Sequence, residues 1–184
     1  MNKSVYEEPN IKTETKRHIL TILVDNEPGV LARVIGMFSG RGYNIDSLNV
    51  AEVKEIDNEH LSRITIVTHG TDEVIDQIQS QLMRIVPVHN VTNLEAEGSA
   101  VEAEVALVYM YLNEENKKQA YQICDLFRAR KIENENNSII FEIAGTSERI
   151  DTFIKDMEKI SKIDIVRSGP VAISSIKNEN EEED

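Results

Sequence analysis

Tryptophan is absent from this 184-residue chain, cysteine occurs once and proline four times. One cysteine rules out an internal disulfide framework, and a cytoplasmic protein is the simplest reading. Basic residues are in deficit: 20 Lys and Arg face 33 Asp and Glu, for a net charge of −13. Nucleic acid and anionic membranes are therefore poor partners. Long apolar runs are missing too; none approaches the roughly 20 residues of a membrane span. The first residues have no apolar signal core, and the acidic pair Glu7-Glu8 argues against a transit peptide.

Catalytic constellations are equally scarce. Cys124 lies on the apolar face of an expected helix, where a buried structural thiol is the ordinary reading. His18, His60, His69 and His89 fall on separate strands or strand ends, none at metal-ligand spacing from another His or Cys. Gly36…Gly40-Arg41-Gly42 lacks the Gly-Lys-Ser/Thr of a phosphate loop and ends a helix instead of opening one. Arg63 and Arg167 match no paired carboxylate. These gaps point to a binding module.

What is present centres on Ile19 to Ser47. Ile19-Leu20-Thr21-Ile22-Leu23-Val24 is β-branched and apolar on both faces, as a central strand requires. Asp25-Asn26-Glu27-Pro28-Gly29 is a polar turn, with Pro28 expected in the first turn of the following helix. Leu31, Val34, Ile35 and Phe38 form one helical stripe over Val30–Gly40. Gly40 and Gly42 are expected to stop the helix, and Gly42-Tyr43-Asn44 leads into a second strand. Gly29 puts no side chain at the helix start, where open N–H groups attract an anion. Asn26 and Asn44 offer amides that donate and accept. Together these suit a small zwitterion, although a plain turn with a cap explains the same residues.

Taken in order, residues 1–17 are a polar arm, and Lys16-Arg17-His18 a solvated flank. Strands are expected at 45–53, 60–69 and 86–91, and a helix after Thr71 with Ile75, Ile78, Leu82 and Ile85 inward. Pro87 puts the last strand at an edge. The order is β-α-β-β-α-β, the ferredoxin-like arrangement. After a linker at 96–101, a second α+β pattern covers 102–176: strand 103–112, helix 114–130, a hairpin around Asn134–Asn137, helix 147–160, and strands 163–166 and 171–176 joined by a turn at Ser168-Gly169-Pro170. Residues 177–184 are an acidic tail. Gly70-Thr71-Asp72-Glu73 and Gly145-Thr146-Ser147-Glu148 echo each other ahead of a helix, which supports two similar domains in tandem.

Asp25-Asn26-Glu27-Pro28-Gly29-Val30-Leu31-Ala32-Arg33-Val34 resembles the ligand turn of an ACT domain, a small-molecule regulatory module. Leu31 through Leu48, Leu61-Ser62-Arg63-Ile64-Thr65-Ile66, Ala144-Gly145-Thr146-Ser147 and Val166-Arg167-Ser168-Gly169 together resemble the small regulatory subunit of acetolactate synthase (acetohydroxyacid synthase). The resemblance spans about residues 18 to 176. It implies an ACT domain at 18–95 for effector binding and dimerisation. It implies a catalytic large subunit as partner, which uses thiamine diphosphate, Mg²⁺ and FAD to condense two pyruvates, or pyruvate with 2-oxobutyrate. No cofactor is implied in this chain. The subunit would raise large-subunit activity and confer feedback inhibition, usually by valine. The family's ligand positions map onto Asn26, Gly29, Val30 and Leu31 of one protomer and Asn44 and Ile45 of the other. Pro28 and Ala32 stand where relatives often carry hydroxyl residues.

The expectation is therefore a non-catalytic regulatory subunit and homodimer with no nucleic-acid or membrane partner. The rivals are an ACT-type amino-acid-responsive regulator of another enzyme or of transcription, which for DNA would need a basic helix-turn-helix or ribbon, and a free-standing enzyme.

Overall fold

A central strand needs apolar side chains on both faces, and β1 (Lys16–Asp25) has them. In the computed structural model, which describes residues 14–54, 60–96, 98, 100–133 and 138–175, β1 is hydrogen-bonded on both sides. It is followed by α1 (Val30–Gly40), β2 (Ser47–Lys54), β3 (His60–Gly70), α2 (Asp72–Leu82) and β4 (Val88–Asn93). The sheet is antiparallel, in the order β2-β3-β1-β4. Leu20, Ile22, Ile64 and Ile66 meet Val34 and Phe38 of α1 and Ile75, Ile78 and Leu82 of α2 in one core.

The second unit runs β5 (Ala100–Tyr111), α3 (Lys117–Leu126), β6 (Arg130–Glu133), β7 (Ser138–Gly145), α4 (Ser147–Glu158), β8 (Ile163–Arg167) and β9 (Val171–Ser174). Its order, β6-β7-β5-β8, repeats the first sheet strand for strand. Val108, Met110, Phe141 and Ile143 pack beneath Ile150, Phe153 and Met157. Both sheets are thus the ferredoxin-like α+β arrangement read from the sequence.

Several details differ from the sequence expectations, each for a local reason. Lys16 and Arg17, placed in the arm, pair in register with Gly70 and His69. The solvated flank is not one: His18 is 4% exposed, and Arg17 reaches Glu102 at 2.6 Å. Strand alternation turns His18 inward, and the partner of Arg17 lies in the second unit, 85 positions away, beyond the reach of a local pattern. β4 starts at Val88, after Pro87, whose carbonyl accepts from the Asp25 N–H at 3.2 Å; β4 is an edge strand. β5 begins at Ala100, inside the expected linker. α3 is shorter than 114–130 because Asn113 ties up the preceding N–H groups and Arg128, at φ 49, leaves the helical region. Ile85 lies past the end of α2 and still packs on its core.

The largest difference is at Ser168-Gly169-Pro170. A turn was expected, but β8 and β9 both run antiparallel to β5, against residues 106–110 and 100–103 respectively. The three residues are a bulge in one interrupted edge strand. Gly169 and Pro170 land on the first sheet. A Cβ on Gly169 (φ 72) would overlap Ser47 Oγ, and Asn49 Nδ2 donates to the Pro170 carbonyl at 3.0 Å. Beside this contact Ile19, Val67 and Leu94 are buried against Ala100 and Ala172. Expectations for residues 1–13, 56–59, 134–137 and 176–184 lie outside the described residues.

Candidate functional site

The start of α1 is built by a turn. The Val30 N–H donates to the Glu27 carbonyl at 3.4 Å, and Gly29 has φ 89 and ψ −9. These are the third-position angles of a type II turn, which favours Pro at the second position and Gly at the third. Pro28 therefore shapes the turn ahead of the helix and not its first turn, as expected from sequence. The turn is pinned to the sheet by the Asn26 N–H on the His60 carbonyl at 2.7 Å.

This construction leaves the helix N-terminus open. No side chain caps it and no acidic residue lies in its first turn. Among the described residues the N–H groups of Gly29, Leu31 and Ala32 have no acceptor, the first intrahelical one being Arg33 on the Gly29 carbonyl. The open donors are thus Gly29, Leu31 and Ala32; the Val30 N–H serves the turn. Nothing lies within 4 Å of a Cβ built on Gly29, so glycine is needed there for its backbone angle and the space beyond it is free. Asn26 and Gly29 are exposed, Val30 is buried, and Leu31 is half-buried on the core.

Asn44 and Ile45 lie past the other end of α1. The Tyr43 N–H bonds to Phe38 O at 3.0 Å and the Gly42 N–H to Ser39 O at 3.2 Å, a Schellman closure. The Phe38 and Tyr43 rings meet edge to face at 6.3 Å. Gly42, at φ 73, ends the helix, while Gly40 is its last residue. Ile45 packs on the core and Asn44 is exposed. The Asn44 carbonyl accepts from Thr68 Oγ1, and its Nδ2 donates to Asp46 Oδ1, both at 2.6 Å. Sequence reasoning passed over Asp46 because a lone acidic residue before a strand carries no pattern.

The fold does not bring the two groups of candidate residues together within one chain. An 11-residue helix is about 16 Å long, and Gly29 and Asn44 flank its opposite ends.

Elsewhere, Cys124 is fully buried and donates to the Ala129 carbonyl at 3.1 Å; burial pushes the thiol pKa up. His60, His69 and His89 each face one carboxylate. Among the described residues no cluster could hold a metal ion. Arg167 is paired after all, with Asp151 at 2.5 Å and with the buried Glu104; a separation of 63 positions hid the second partner. Among the described residues no helix is long and apolar enough to cross a membrane.

Two family models match the chain: "AHAS small subunit-like ACT domain" over residues 20–90 and "Small subunit of acetolactate synthase" over residues 103–176. The acetolactate synthase isozyme 3 small subunit of Escherichia coli (strain K12) is 39% identical over 159 residues, 86% of this chain and 95% of that one. A probable acetolactate synthase small subunit of Archaeoglobus fulgidus is 36% identical over 157 residues, 85% and 96% of the two chains. Among solved structures, the acetolactate synthase small subunit of Thermotoga maritima superposes with a TM-score of 0.78 at 32% identity, covering 88% of this chain and 99% of that one.

Proposed function

The chain belongs to the family of acetolactate synthase small subunits, and from that premise we propose that it binds a branched aliphatic amino acid between two copies of its ACT domain. It is a regulatory subunit in branched-chain amino-acid biosynthesis, and its partner is the catalytic large subunit. Thiamine diphosphate, Mg²⁺ and FAD belong to the large subunit in this reading. The chain raises that subunit's activity and carries the feedback signal, with valine as the effector.

One observation carries the proposal: the unfilled N-terminus of α1 and the exposed Asn44 amide stand about 16 Å apart, at opposite ends of one helix. The carboxylate and ammonium of an amino acid hang on one carbon, so one ligand cannot reach Gly29 and Asn44 of the same protomer. A two-fold axis sets the start of one α1 beside the end of the other. β2 supports such a pairing, since it is an edge strand with no charge or proline from Ser47 to Ala51 to discourage a partner. The carboxylate then rests on the open N–H groups behind Gly29. The ammonium meets the amide oxygens of Asn44 from the partner copy and of Asn26. Val30, Leu31 and Ile45 shape the floor through their backbone.

The test is reconstitution with an acetolactate synthase large subunit. The purified chain alone forms no acetolactate from pyruvate; added to the large subunit it raises activity and makes it sensitive to valine, leucine or isoleucine. Val50, 45% exposed on β2, is the position for breaking the dimer, because Leu48 packs on the core and a charge there would also disturb folding. Val50→Lys gives monomers in sedimentation and weakens inhibition. Sensitivity retained by a monomer overturns the shared site.

A further inference from the structure

We infer that Asp46 is a positioning residue that makes the site selective for an ammonium-bearing ligand, an inference that rests on the effector site proposed above. The Asp46 carboxylate can only accept hydrogen bonds. Whatever Asn44 turns toward it must therefore be the NH₂ end of the amide, and that contact is 2.6 Å long. The amide oxygen of Asn44 then faces away from Asp46, where it can accept but not donate.

The carboxylate is itself held. Its second oxygen meets His69 Nδ1 at 2.6 Å, and that nitrogen must carry a proton, because an acceptor facing an acceptor would repel. The Asp46 N–H donates to the Val67 carbonyl at 2.9 Å, and Thr68 Oγ1 donates to the Asn44 carbonyl at 2.6 Å. Side chain and backbone of the 44–46 segment are thus bound to β3 before β2 begins. An Asn44 amide free to flip would present NH₂ or oxygen and take amino acids and plain carboxylic acids with less discrimination. One locked by Asp46 presents oxygen, which suits an α-ammonium and offers nothing to an acid lacking it. The chemical class selected is the α-amino acid itself and not its deaminated carbon skeleton.

The experiment is a binding titration of the full-length chain with valine and, by competition, with 3-methylbutanoate, which keeps the carboxylate and side chain and replaces the ammonium with hydrogen. Asp46→Ala weakens valine binding by about tenfold or more, the scale of one charge-assisted hydrogen bond, and changes 3-methylbutanoate by less than about twofold. Asp46→Leu, which keeps about the same side-chain size but has no acceptor, shows the same split should the alanine variant melt early. Asp46→Glu restores part of the preference. In an Asn44→Ala background, Asp46→Ala adds less than about twofold, since it acts through Asn44. Unchanged valine binding, equal weakening of both probes, or an undiminished effect without Asn44 overturns the inference. Gly29→Asp separates the two claims: it weakens both probes through their shared carboxylate. If it changes neither, the effector site itself is wrong; if it weakens both while Asp46→Ala does nothing, only the role of Asp46 falls.

Discussion

The two halves of the chain share a topology and differ at the start of their first helix. Both sheets have the same strand order, and in both the second helix is capped by a threonine, Thr71 on the Val74 N–H and Thr146 on the Arg149 N–H. Ahead of α1 the type II turn uses the Val30 N–H and leaves those of Gly29, Leu31 and Ala32 open. Ahead of α3 the Asn113 side chain accepts from the Glu115 and Asn116 N–H groups at 3.0 and 2.8 Å, and the Asn113 carbonyl takes the Lys117 N–H. The second unit thus ties up from within the N-cap N–H, at Asn116, that stays free at Gly29 in the first, although among the described residues the Lys118 and Gln119 N–H groups are as open as those of Leu31 and Ala32. A repeated fold therefore repeats the scaffold and not the site; a few residues at one helix end make the difference.

The halves should be most alike in their cores. Phe38→Ala and Phe153→Ala each remove a fully buried ring and should destabilise by about 3–5 kcal/mol, seen as a large drop in Tm. A much smaller loss from one of them would show that the two cores are not equivalent supports.

The sharpest contrast is at Gly29. Gly29→Asp should weaken valine inhibition of the reconstituted enzyme by at least about tenfold, since a charge-assisted hydrogen bond is worth about 1.5–3 kcal/mol and each 1.4 kcal/mol is about tenfold. Activation should survive. Gly29→Asn adds the same bulk at the same backbone angle without the charge, Asn being among the side chains that best tolerate positive φ; it should weaken inhibition less, the difference being the charge. Equal effects of the two would assign the loss to bulk and strain.

Gly169→Ala probes the contact between the halves. The added methyl meets Ser47 Oγ at a left-handed backbone position, so about 1–3 kcal/mol should be lost. Wild-type melting would mean that the bulge lifts off β2 without cost.

The smallest expected effect is on the caps. Thr71→Ala and Thr146→Ala should each cost about 1 kcal/mol by denaturant titration, with equal values in the two halves. A markedly larger loss at Thr71 would point to coupling through the neighbouring Asp72, which lies 3.9 Å from the buried His18.

Much of this was legible in the chain itself. The period-2 and period-3.6 apolar patterns marked the paired halves because burial of one face dictates both. The turn at Asp25–Gly29 was visible because Pro and Gly have few other uses side by side. Membership of the family followed from four separated segments, one of which, Leu61–Ile66, lies inside β3. Other features could not be read locally. Arg17 and Arg167 looked unpartnered because their carboxylates lie far along the chain. Ser168-Gly169-Pro170 has turn residues, and only its pairing against β5 shows a bulge instead of a reversal.

The amino-acid sequence by itself determined the α+β class, the tandem units, the inward stripes and the open helix start at Gly29, because these depend on side chains within a few positions of one another. Tertiary structure alone decided that the second unit seats Gly169 on β2 and that Asp46 sets the face Asn44 presents. It also showed that Gly29 and Asn44 stand a helix length apart, so that a shared ligand needs two copies. Each of these is a distance or a direction between segments, and such quantities exist only once the sheet has fixed where its strands lie.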